Sequence, residues 1–189
     1  DALLHMATSI NQHPDAQVLY SDEDKIDADG HRHDPHFKPD WNLEHFLSQN
    51  IVSHLGVYRR ALVTLAGGFR TGYEGAQDHD LALRCLHHIK PQHIVHVPKV
   101  LYHWRVLPGS TAVSMDAKPY AQLAGQQAIN DYLAASGLGG HADCMPNGSY
   151  RIHAPLPAVL PQVTIVIPTR NAKHLVQACV DSIRSHTTY

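Results

Sequence analysis

Three short stretches carry side chains whose types and spacing suit shared chemistry. The first is Asp22-Glu23-Asp24, directly after Gln17–Tyr20, which reads as a short strand. Carboxylates at i and i+2 share one face of an extended chain. At the carboxyl end of a strand, Asp22 and Asp24 can meet a divalent cation, and hard oxygen ligands select Mg²⁺ or Mn²⁺. Such an ion neutralises a diphosphate and stabilises its departure. The same residues also suit a solvated acidic turn. The second stretch is Glu74-Gly75-Ala76-Gln77-Asp78-His79-Asp80. Asp78 stands where a helix is expected to begin and makes a good N-cap. No Glu or Gln follows three residues later, so a capping box is absent. A carboxylate there equally suits a general base acting on a hydroxyl. The third is Leu101-Tyr102-His103-Trp104-Arg105, followed by Gly109-Ser110-Thr111-Ala112. His103 and Arg105 lie two apart and share a strand face, so one can ligate a metal while the other clamps a phosphate. Core packing is the alternative for His103 and the expectation for Trp104.

The elements that must position these groups follow from periodicity and punctuation. Residues 1–13 read as a helix with Leu4, Ala7 and Ile10 on one stripe, ended by Pro14-Asp15. Asp29-Gly30 predicts a tight hairpin. His31–Asp40, with Pro35 and Pro39, reads as loop. Leu43–Asn50 reads as a short helix, Ile51–Arg59 as a loose strand, and Ala61–Leu65 as one helical turn stopped by Gly67-Gly68. Asp78–His88 predicts a helix, and Ile94–Val97 and Val100–Trp104 predict two strands separated by Pro98. Tyr120–Ser136 carries Tyr120, Ala124, Ala128 and Tyr132 at steps of four, and Gly137 supplies the stop. Residues 137–160 are rich in Gly and Pro and read as a linker. Val163–Ile167 is a β-branched run of the kind found in buried strands. Ala172–Ser185 follows as a helix with Leu175, Cys179, Ser182 and Ile183 inward.

Composition narrows the classes. Of 189 residues 43% are hydrophobic and 17% charged, a globular balance, and a net charge of −2 argues against a nucleic-acid binder. Three dispersed cysteines argue against a disulfide scaffold or a four-cysteine zinc site and favour a reducing compartment. No apolar run approaches the ~20 residues of a membrane helix. Seventeen histidines are scattered, and only His31, His33 and His36 cluster enough to suggest a metal. Gly137–Ala142 matches G-x-G-x-x-A, but a helix precedes it and a Pro-containing loop follows, the wrong order for dinucleotide binding. A calcium loop around Asp27 and Asp29 fails because Lys25 and His36 would fill its first and twelfth positions.

The ordered set resembles the family 2 glycosyltransferases of GT-A fold, in particular the multi-domain bacterial members that build surface polysaccharides. It comprises Tyr20-Ser-Asp22-Glu23-Asp24-Lys25, Phe37-Lys38-Pro39-Asp40-Trp41, Gly67-Gly68-Phe69, Glu74–Leu81 and Tyr102–Arg105. It restarts at Val163-Thr-Ile-Val-Ile-Pro168-Thr169-Arg170-Asn171. The resemblance implies an α/β fold with a mixed sheet flanked by helices. Residues 1–136 would be the carboxyl-terminal two-thirds of one GT-A domain, 137–160 a linker, and 161–189 the first β-α unit of a second such domain.

The resemblance also implies site roles. Asp22 and Asp24 would hold the metal-diphosphate of a nucleotide-sugar, with His103 as a further ligand and Arg105 near the phosphates. Asp78 would be the catalytic base, although Gln77 replaces the family's usual Glu. Lys38, Asp40, Trp41, Gly67 and Gly68 would border the acceptor, a glycan or lipid-linked glycan. Pro168, Thr169, Arg170 and Asn171 would hold the nucleotide of the second domain. The implied reaction is inverting, Mn²⁺- or Mg²⁺-dependent sugar transfer. The implied location is cytoplasmic, with peripheral attachment to the inner face of the plasma membrane as a variant. Neither site is complete within these residues, so the isolated chain is expected to be inactive. Rival expectations are a metal- or carbohydrate-binding module built on His31, His33 and His36, and a degenerate transferase scaffold.

Overall fold

The computed structural model describes residues 1–106 and 119–187, so Gly109–Ala112 lies outside the described residues. The chain divides into two units, Asp1–Pro155 and Leu156–Tyr189.

The first unit is mixed α/β, as expected. Its centre is strand β1 (Val18–Ile26), which extends well past the expected end at Tyr20 and carries the acidic run within it. Strand β4 (Ile94–Arg105) runs parallel to β1 along its whole length. β1 also pairs antiparallel with β3 (Gly56–Tyr58) through Val18–Tyr20, and with β2 (Arg32–His36) through Glu23–Ile26. Ladders along both edges hold the polar end of β1 extended, because pairing satisfies backbone groups that a turn would leave to solvent.

β2 replaces the expected loop at His31–Asp40. It tolerates Pro35 because it is an edge strand with a register shift, where Asp34 takes φ 48°. The Asp29-Gly30 turn forms as expected, with Gly30 at φ 87°. Pro98 does not split β4. It falls where the register slips, for Ser21 pairs with Val97 and Asp22 with Val100, then Glu23 with Tyr102.

Helices cover both faces. Helix α1 (Ala2–Gln12) packs Met6 against Leu19 and Val97. The expected stripe Leu4, Ala7 and Ile10 is not the one used, since Met6 and Ser9 are buried while Leu4 and Ile10 are exposed. On the other face, α2 (Leu43–Ser48), α3 (Arg60–Leu65), α4 (Gln77–Leu86) and α5 (Pro119–Ala135) enclose a core of Val18, Tyr20, Phe46, Ile51, Leu83, Cys85 and Ile129. Asn42 caps α2 by accepting from the His45 amide at 2.7 Å. α3 ends in a Schellman motif: Gly67 N–H donates to Thr64 O and Gly68 N–H to Val63 O, with positive φ at both glycines.

Residues 137–160 are not a plain linker. Strands β5 (His141–Cys144) and β6 (Tyr150–His153) form an antiparallel hairpin. It is fastened to α5, because Asn130 accepts from the Ala142 amide at 2.8 Å and Gln126 donates to Ala142 O at 2.7 Å. Gly and Pro here punctuate a hairpin rather than a flexible tether.

In the second unit, α6 (Lys173–His186) matches the expected helix to within a residue. Its half-buried positions are Val176, Val180 and Ile183, not the expected set with Leu175 and Cys179. Val163–Ile167 is not a strand, which corrects the expectation. A strand is defined by its ladder, and among the described residues none pairs with this run.

Candidate functional site

Asp22 and Asp24 sit two apart in β1, so both carboxylates face one side of the sheet. Each is 4% exposed. Buried carboxylates need partners, and β4 supplies an imidazole to each. His96 Nε2 is 2.8 Å from Asp22 Oδ1, and His103 Nδ1 is 2.5 Å from Asp24 Oδ1. The Lys38 amide also donates to Asp22 Oδ1, at 2.9 Å, and Arg32 Nε donates to Asp24 Oδ2 at 2.6 Å. Burial raises the Asp24 carboxyl, but the bonds from His103 and Arg32 outweigh it and leave it below the usual range.

His96 connects this pair to the expected acceptor segment. Its Nδ1 lies 3.2 Å from Oδ1 of the exposed Asp40, and Tyr20 stacks on its ring at 5.0 Å. Glu23 points to the opposite face. There His54 Nδ1 lies 2.8 Å away, with His36 at 3.5 Å and Lys38 Nζ at 3.8 Å. Burial raises the Glu23 carboxyl, yet the bonds from His36 and His54 and the Lys38 charge bring it down to about 2.

The other expected residues fall as follows. Lys38 is buried, and its ammonium donates to His54 O at 2.6 Å. Trp41 packs on Phe46 at 5.0 Å. Gly67 and Gly68 form the α3 stop, and the carbonyls of Ala66 and Gly68 accept from Arg84. Arg105 is exposed at the end of β4, two residues beyond His103. Thr169 and Asn171 line a shallow surface depression of about 460 Å³ with Lys173, Val176 and Arg184. Pro168 and Arg170 belong to the same irregular segment, and Asn171 takes φ 52°.

Asp78 is not the N-cap of α4. Ala76 holds that position, and Asp78 lies in the first turn beside Asp80. Its Oδ2 instead accepts from Asn50 Nδ2 at 2.9 Å. The phenol of Tyr58 is raised by burial and further by the Asp78 carboxylate. The cluster holding Leu81–Cys85 also holds Val18 and Tyr20, so α4 packs on the sheet side that Asp22 and Asp24 face. Among the described residues, Asp78 shares no hydrogen bond or ion pair with Asp22, Asp24 or His103. Its neighbour Asp80, 1% exposed, is gripped by Arg70 and Arg84, each through two guanidinium nitrogens. His31, His33 and His36 do not converge, because each faces a different carboxylate: Asp27, Asp34 and Glu23.

Sequence reasoning missed His96, Arg32 and Asn50. His96 and His103 are seven apart, an odd spacing that puts residues of a regular strand on opposite faces. The register slips in β4 bring them to one face.

No family model matches the chain. It is 46% identical over 193 residues to "Uncharacterized protein y4gI" of Sinorhizobium fredii, covering all of this chain and 21% of that protein. It is 35% identical over 188 residues to "O-antigen biosynthesis protein RfbC" of Myxococcus xanthus, covering all of this chain and 14% of that protein. The chain therefore spans about a fifth and a seventh of the curated relatives it matches. No described helix is long and apolar enough to cross a membrane.

Proposed function

We propose that this chain is part of an inverting glycosyltransferase of cell-surface polysaccharide synthesis. The observation that carries this reading is the pairing of Asp22 with His96 and Asp24 with His103 on one face of a parallel β1–β4 pair. The similarity to an O-antigen biosynthesis protein supports a polysaccharide as the polymer. Two carboxylates and an imidazole are a donor set that suits Mn²⁺ or Mg²⁺. Among the described residues the ligand atoms of Asp22, Asp24 and His103 are not all within 4.8 Å of one another, so these side chains would have to draw together to hold the ion, which would supply charge neutralisation for a departing diphosphate. Arg32 is half-exposed and can swing away from Asp24 to admit it.

Asp78 accepts the proton of an acceptor hydroxyl. That oxygen bonds to the anomeric carbon as the bond from carbon to diphosphate oxygen breaks on the opposite face. Asn50 orients the Asp78 carboxylate through its side-chain amide. The donor is a nucleotide-diphosphate-sugar and the acceptor a glycan or lipid-linked glycan.

The test measures nucleotide release from candidate nucleotide-sugars with Mn²⁺, using the full-length polypeptide. Asp78→Asn should lower transfer roughly 100- to 10,000-fold. Full transfer in that variant would identify the domain as a scaffold and remove the proposal.

A further inference from the structure

The β5–β6 hairpin presents two chemically different faces. Ala142, Cys144, Tyr150 and Ile152 alternate to one side. That side is fixed to α5 by the Gln126 and Asn130 bonds and by Tyr150, whose hydroxyl donates to Gln122 O at 3.2 Å. His141, Asp143, Arg151 and His153 alternate to the other. His141 and His153 are direct cross-strand partners, and their rings stack at 4.6 Å with planes 9° apart. Asp143 stands opposite Arg151 in the ladder, yet its Oδ2 lies 2.9 Å from His153 Nε2 on the diagonal. That contact lacks hydrogen-bond alignment, so the shielded Nε2 has no hydrogen-bond partner among the described residues. One ligand atom from each of His141, Asp143 and His153 lies within 4.8 Å of the others.

We propose that His141, Asp143 and His153 form a transition-metal site, separate from the carboxylate pair of β1. Two imidazoles and one carboxylate suit Zn²⁺, Ni²⁺ or Cu²⁺ rather than the hard ions an all-oxygen site selects. Three protein ligands leave the fourth tetrahedral position to water. The platform is rigid where it must be. A Cβ on Gly140, which has φ 83°, would overlap the His153 carbonyl, so only glycine lets the two strands approach this closely at the histidine pair. His141 is exposed, so its ring can leave the stack and turn its nitrogen toward the ion without disturbing the core. The site does not depend on sugar transfer.

Zn²⁺ titration of the 189-residue chain by calorimetry in a non-chelating buffer at pH 7 tests this. Tight binding should fall at least about tenfold in His141→Ala and in His153→Ala. It should be unchanged in His31→Ala, which removes a ligand from the second acidic-histidine grouping, Asp27, Asp29 and His31. Circular dichroism confirms that each variant is folded, and the exposed His141 keeps the test usable if His153→Ala is not. Co²⁺ should give the visible absorption of a tetrahedral site in the wild type and lose it in His141→Ala. A His103→Ala background removes any zinc held at the β1 carboxylates, and there binding that survives both hairpin substitutions, or that disappears in His31→Ala, overturns the proposal.

Discussion

Asp24 and His103 are direct partners in the parallel β1–β4 ladder, and their side chains meet at 2.5 Å. The second oxygen of the same carboxylate accepts from Arg32 of β2, on the other edge of β1. One side chain thereby joins three strands. Asp24→Asn keeps the shape and removes the charge, so it should destabilise the fold by roughly 1–2 kcal/mol at pH 7. Because the folded carboxyl is lowered, the wild type holds this advantage above the unfolded value and loses it as pH falls. Urea unfolding of both proteins at pH 7 and pH 3 checks it, and equal stability at pH 7 would contradict the pairing.

Acid should weaken the first unit in two stages. Burial pushes His79 down to about 4, and its Nε2 lies 3.1 Å from Phe46 O. The unfolded imidazole takes up protons first, so stability falls between about pH 6.5 and 4, by on the order of 2–3 kcal/mol. Glu23, at about 2, adds a second loss between about pH 4.5 and 2, on the order of 1–2 kcal/mol once solvent screening is allowed for. Chemical denaturation across pH 7 to 2 should show both slopes. Glu23→Gln should flatten only the lower one.

The Asp80 carboxylate neutralises two guanidinium groups that hold the α3 end and the loop before α4. Arg70 also pairs with Asp131 of α5 at 2.7 Å and lies over the Tyr73 ring at 3.9 Å. Asp80→Ala leaves both arginines short of their buried partner, and should cost roughly 2–4 kcal/mol. That corresponds to a drop in Tm of roughly 4–16 °C for a unit of this size. A change within 1 °C, ~0.3 kcal/mol, would show that Asp131 and solvent suffice.

Gly125 of α5 has no room for a side chain, since a Cβ there would overlap the Tyr150 hydroxyl. Gly125→Ala gains helix propensity of about 1 kcal/mol but must push the half-buried Tyr150 phenol aside and break its bond to Gln122 O, so a net loss of ~1–2 kcal/mol is expected. Tyr150→Ala in the same chain should reverse the sign of the Gly125→Ala effect. A double-mutant cycle in thermal unfolding measures that coupling.

Helix positions were legible because a single chain segment encodes them. α4, α5 and α6 fall within about two residues of where periodicity and glycine stops put them. The Asp-x-Asp spacing correctly predicted two carboxylates on one face. Strand limits were less legible, because a strand exists through partners remote in sequence. The polar half of β1 looks like a turn until β2 and β4 are laid beside it, and the apolar Val163–Ile167 looks like a strand although nothing described pairs with it. The burial of Lys38 was illegible for a related reason: its surroundings, Glu23 and the His54 carbonyl, come together only in the folded sheet.

The slips in β4 constrain length more tightly than composition. Between the partners of Ser21 and Glu23, β4 threads Pro98, Lys99 and Leu101 without a counterpart in β1. An odd number of unmatched residues is what brings His96 and His103 to the same surface. Removing any one residue between Val97 and Tyr102 would turn one imidazole away from its aspartate, whereas many replacements at those positions would leave both in place. Over evolutionary time, deletions in this short stretch should be far rarer than substitutions.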